Sequence, residues 1–187
     1  ILFAVFMAFG VSSYVAVRNG YYPVAIVNFD IITARYAEIN YVAASKYFKN
    51  SAMVYGSDPK QLETPESHLE IRRGVLDKLI SDSLVYNELT RRLRKSDFQS
   101  VAENKIAQFL EQNKNTEEAA KTLYGLNLPD FKDRVLLPEA YREVLEGRMY
   151  LDKEDFNSWL SKGRLEASVI ILIPNVEWKA GNLAVKK

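Results

Sequence analysis

Cysteine is absent from the 187 residues, and His68 is the only histidine. The first absence excludes disulfides, thiolate metal sites and a cysteine nucleophile. The second excludes a His-based metal site. No G-x-G-x-x-G or G-x-x-x-x-G-K-[ST] run occurs, so the sequence offers no nucleotide cradle. Charge of one sign is lacking too: 25 Lys and Arg stand against 24 Asp and Glu, interspersed, for a net +1. A nucleic-acid surface would show as a clustered basic excess, so no nucleic-acid partner is expected. His68 has no serine-nucleophile signature beside it and reads as a satisfied surface or capping residue. Carboxylates at Glu117-Glu118 and at Asp152, Glu154 and Asp155 sit at helix starts, where the helix dipole favours them. The basic run Arg91-Arg92-Leu93-Arg94-Lys95 sits at a helix end, favoured by the same dipole. Nothing in the pattern calls for catalysis or a cofactor.

At 48% hydrophobic and 26% charged, the chain can bury a core. Residues 1–17, ILFAVFMAFGVSSYVAV, carry no charge. That length is the lower limit for a membrane-spanning helix. Three readings are open: a transmembrane anchor, a cleaved signal peptide, or a buried core helix. The lack of a convincing small-x-small cleavage site favours the anchor. Residues 18–23 read as a linker.

Val24–Val27 reads as a strand, with Ile31–Ile32 as its continuation or partner. Thr33 is a helix N-cap, opening a helix from Ala34 to about Asn50. Residues 51–66 form a loop or frayed helix end, and Pro65 suits the start of a long helix, about 66–95. Leu69, Leu76, Leu79, Ile80, Leu84, Tyr86, Leu89 and Leu93 spread round most of that helix. Glu70, Asp77, Ser81 and Glu88 form a narrow polar stripe. A helix apolar on most of its surface is wrapped by neighbours, so this is the predicted centre of a bundle. Further helices are predicted from Ser96-Asp97 to near Asn113, from Asn115 to Gly125, and over 130–150. The last of these should kink or split at Pro138. A short helix, 153–162, ends at Gly163. The β-branched run Ala167–Ile173 closes at Pro174 and reads as a strand whose natural partner is the N-terminal one. The predicted fold is mainly α (α+β): five or six helices and a small sheet joining residues 24–32 to 167–173, over 24–174, followed by a tail, 175–187.

Eleven tyrosines and nine phenylalanines are the suggestive excess. Tyr36, Tyr41, Tyr47, Phe48 and Tyr55 cluster on or near the first helix, with Tyr86 on the long one. Such stripes form core or supply adaptable contact area at an interface.

An apolar export segment, then Val27-Asn28-x-x-Ile31-Ile32-Thr33, then a long helix carrying Leu76, Leu79, Ile80, Leu84, Val85, Glu88 and Leu89, resembles the N-terminal chaperone domain of the bacterial SurA, PpiD and PrsA foldases. The resemblance covers residues 24–173. Phe29 stands where that family usually has glycine, so another type of turn is expected there. The family's parvulin-type prolyl isomerase domain does not fit in the fourteen residues after Ile173, and the histidine common in that domain's opening strand is absent. The resemblance implies a membrane-anchored, extracytoplasmic chaperone-like domain without covalent chemistry. Unfolded or newly exported polypeptides would bind in an apolar groove between the long helix and the hairpin–first-helix unit, with Tyr36, Tyr41, Tyr47, Phe48, Tyr55 and Tyr86 as client-binding candidates. The alternatives are a fragment of a prolyl isomerase and a scaffold with one dedicated partner.

Overall fold

A two-residue turn reverses the chain at Asn28-Phe29, between β1 (Pro23–Val27) and β2 (Asp30–Thr33). Val27 faces Asp30 across the antiparallel pair, and φ is 47° at Asn28 and 79° at Phe29. Positive φ at both central residues matches the twist of the flanking strands. Asn tolerates that conformation, whereas for Phe it is an outlier. The expectation of a different turn type at Phe29 is therefore corrected. The hairpin keeps the left-handed geometry, and Phe29 bears the strain with its ring almost wholly in solvent (97% exposed).

The computed structural model describes residues 17–186, which are mainly helical with two small antiparallel sheets. Thr33 caps α1 (Ala34–Val54), its hydroxyl accepting from the Tyr36 N–H. The Ala34 and Arg35 N–H groups donate to the carbonyls of Tyr22 and Gly20. Three of the four orphan donors of the helix start are thus satisfied, and the expected linker 18–23 acts as a backbone cap.

Thr64 caps α2 (Pro65–Arg92), with Pro65 in its first turn. Then follow α3 (Lys95–Gln112), α4 (Thr116–Ala119), α5 (Leu128–Phe131), α6 (Leu137–Leu151) and α7 (Phe156–Glu166). Residues Ala120–Tyr124 and Lys132–Leu136 are π-helical, so the helix expected over 130–150 is continuous but changes winding, from π over Lys132–Leu136 to α from Leu137, next to Pro138. The final helix does not end at Gly163; it runs on to Glu166. β3 (Val169–Ile171) pairs antiparallel with β1, giving the order β2-β1-β3. Asn28 locks this junction: its N–H donates to the Ser168 carbonyl, and its side-chain oxygen accepts from the Ser168 N–H.

Three buried clusters share the core. One joins the inner face of the sheet (Ala25, Val27, Ile32) to Leu76, Leu79, Ile80 and Leu84 of α2. A second joins Val85 and Leu89 of α2 to Phe98, Leu145, Met149 and Phe156. The third holds Ala43, Ala120, Leu126 and Phe131. The long helix serves two of the three, which makes it the bundle's centre; Leu69, expected among its apolar residues, is instead exposed.

The expected tail, 175–187, folds into a second hairpin, β4 (Val176–Lys179) and β5 (Asn182–Val185), and Leu183 joins the first cluster. Among the described residues no helix is long and apolar enough to cross a membrane. The segment expected to do so, 1–17, lies outside them save for Val17.

Candidate functional site

A cleft of about 370 Å³ opens where the free edge of β2, the middle of α2 and the junction of the π-helical segment with α6 face one another. Asp30, Ile31 and Ile32 form one wall, Leu79, Asp82, Ser83 and Tyr86 the second, and Asp133, Leu137, Pro138 and Tyr141 the third, with Tyr36 of α1 at the end. In the third wall the winding changes from π to α just before Pro138, which has no N–H to donate to the preceding turn. The size falls within the range of ligand pockets, and the lining is the usual mixture of aromatic and aliphatic groups with a few polar ones.

The electrostatics are one-sided. Three aspartates line the cleft, and none of the lining residues is Lys or Arg. Asp30 accepts a hydrogen bond from the Ser83 hydroxyl at 3.0 Å, which pins the strand to α2. Asp82 meets Lys78 one turn earlier at 2.6 Å. Burial nevertheless pushes the Asp82 carboxyl above its ordinary range, against the pull of the Lys78 ammonium. Burial likewise raises the Tyr36 and Tyr141 phenols, for Tyr36 against the opposing charge of Arg134, whose guanidinium lies 5.0 Å from its ring centre. Among the described residues no group of three or more His, Cys, Asp or Glu side chains is placed to hold a metal ion.

The six aromatic candidates are divided by the structure. Tyr36 and Tyr86 line this cleft. Tyr47 and Phe48 line a second, more apolar one of about 300 Å³, with Tyr124 stacked on Tyr47 at 4.9 Å. The two clefts meet at Leu79. Tyr41 is buried, its hydroxyl bonded to Nδ1 of His68 and its ring under the Arg72 guanidinium at 3.8 Å. His68 is thereby satisfied. Tyr55 caps the end of α1 and lies in solvent, outside both clefts. Asp82, Asp133, Leu137 and Tyr141 carry no site signal in the sequence. The single clue to their grouping is Pro138 inside a helical pattern.

No protein-family model, curated protein or solved structure matches the chain.

Proposed function

We propose that this chain is a chaperone-like domain that holds unfolded or newly exported polypeptides, tethered to a membrane through residues 1–17 on the extracytoplasmic side. The observation that carries the reading is the cleft between the hairpin edge, the long helix and the π-to-α helix that ends in α6. It is open, walled by aromatic and aliphatic side chains, and sized for a few residues of a client. A second cleft, which shares Leu79 with the first, offers further apolar lining along α1. Weak, broad affinity suits such a surface. The motif that carries the resemblance to the SurA-type domains also has physical work here: Asn28 locks β3, and Thr33 caps α1.

In a light-scattering assay, the full chain should slow the aggregation of a reduced, unfolded client in a dose-dependent way. Leu137→Glu, which puts a charge on the cleft wall, should remove the effect while circular dichroism stays unchanged. A folded chain without effect at equimolar or higher concentration would overturn the proposal. Acceleration of a prolyl-peptide isomerisation above the uncatalysed rate would replace it with the isomerase reading.

One observation favours a second reading, a scaffold for one dedicated partner. Ile31, Ile26 and Ile170 form a row across the outer face of the sheet, beside exposed Phe29 and Leu172. A flat apolar face of this kind suits a fixed partner better than varied clients. Pull-down would then return one stoichiometric complex in place of a heterogeneous set.

A further inference from the structure

Resting on the polypeptide-binding reading, we infer that the cleft takes its client as an extended strand added to the free edge of β2, with a Lys or Arg set between Asp82 and Asp133 and an apolar side chain two residues away.

The edge comes first. β2 is terminal in the order β2-β1-β3. Because the turn has two residues, Val27 and Asp30 form its closing pair. The alternation of an antiparallel ladder then turns the N–H and C=O of Ile31 away from β1. Consecutive strand residues point to opposite faces, yet Asp30, Ile31 and Ile32 all line the cleft. Three residues in a row can do so only if the cleft runs along the backbone edge. An open edge beside a groove is a template for another extended chain, whose alternate side chains then fill pockets.

Charge selects among such chains. The lining carries Asp30, Asp82 and Asp133 with no cation of its own. Asp30 is already held by Ser83, and Asp82 is paired with Lys78, with which the client's cation must share it, while Asp133 faces the strand from the other wall. An acidic client residue would meet like charge in a partly dry site, and a basic one would be drawn in. Tyr86, Leu137 and Tyr141 supply the apolar contact beside them. Residues i and i+2 of an added strand share a face, so the recognised pattern is an apolar and a basic residue two apart, apolar-x-basic or basic-x-apolar according to the direction of the added strand.

The test uses the full chain and a fluorescent peptide with a central Phe-Thr-Lys, read by anisotropy. Phe-Thr-Glu in the same frame should bind at least about tenfold more weakly. That gap should shrink at about 1 M salt, where charges beyond about 3 Å are screened. Methylating alternate backbone nitrogens gives two peptide isomers; one should lose binding and the other keep it, because only one set faces β2. Ile31→Pro, which removes an N–H pointing away from the ladder, should weaken the Lys peptide about tenfold with Tm unchanged, since edge strands tolerate proline there. Equal binding of the Lys and Glu peptides, or equal binding of both methylated isomers, would overturn the inference; should Ile31→Pro not fold, the methylated isomers decide. If client aggregation is still suppressed in that case, the chaperone reading stands and only the strand-addition mode fails. If no peptide binds and aggregation is not suppressed, both fall.

Discussion

Phe29 concentrates the tension between stability and use in one residue. Its φ of 79° is a conformation glycine adopts freely, and its ring, 97% exposed, gains nothing from packing within the chain. A left-handed residue other than glycine costs about 1–2 kcal/mol. Phe29→Gly should therefore stabilise the protein by about 1 kcal/mol, read as a rise in the denaturant midpoint at constant m-value. Strained, exposed aromatics persist where something outside the fold uses them. The same variant should weaken whatever docks on the apolar outer face formed by Ile31, Ile26 and Ile170. A neutral or destabilising Phe29→Gly would mean that the ring is held by contacts within the chain.

At the scale of elements, the second hairpin belongs to the core. Leu183 is buried in one cluster with Ile80, and the Arg164 guanidinium lies 5.1 Å from the Trp178 ring while its Nε donates to the Gly181 carbonyl. Leu183→Ala should cost about 2–5 kcal/mol, the range for truncating a buried leucine, measured by chemical denaturation; a cost under about 0.5 kcal/mol, the usual surface value, would make the hairpin an appendage. The sequence did not mark this hairpin. Its turn, Ala180-Gly181, has positive φ at both residues, but Ala in place of Asn or Asp hides the usual signature. Several other elements were legible because their signals are local: Thr33 caps α1 through its own hydroxyl, Pro65 opens α2, and Pro138 marks the change of winding in the later helix. The polar stripe of α2 was legible as a pattern and opaque in meaning. Asp77 and Ser81 face Arg164 of α7, and Glu88 is clamped by Arg91 and Arg92. Arg92 in turn reaches Glu154 beyond the end of α6. Periodicity says which residues share a face, but only tertiary packing says that this face is a charged seam. A groove between the hairpin and the long helix was expected from the resemblance, but its third wall, Asp133 to Tyr141, was hidden for the same reason, because it comes from residues far along the chain.

At the scale of the whole molecule, the carboxylates pull in two directions with pH. Hydrogen bonds from Arg91 and Arg92 hold Glu88 below its ordinary range, and the Arg92 guanidinium does the same to Glu154. A group whose folded pKa is depressed contributes stability that is present above its unfolded pKa and lost as pH falls through the folded one. Asp82 has the opposite sign, because burial raises it. Its charge destabilises the fold above the folded pKa, and that penalty disappears as pH falls below the unfolded value. Two substitutions separate the terms. Glu88→Gln should lower stability at neutral pH by about 2 kcal/mol, since it removes a buried, charge-assisted network, and this deficit should fade as the wild type protonates below the carboxylate range. Asp82→Asn should raise Tm at neutral pH by about 2–4 °C, its lost pairing with Lys78 limiting the gain. That advantage should also vanish in acid. Thermal melts of the three proteins across the acid range would then converge from opposite sides. An Asp82→Asn protein less stable than wild type at neutral pH would show that its pairing with Lys78 outweighs its burial. With the predicted sign, a cleft residue is kept charged against the interest of the fold, as a site that captures a basic side chain requires.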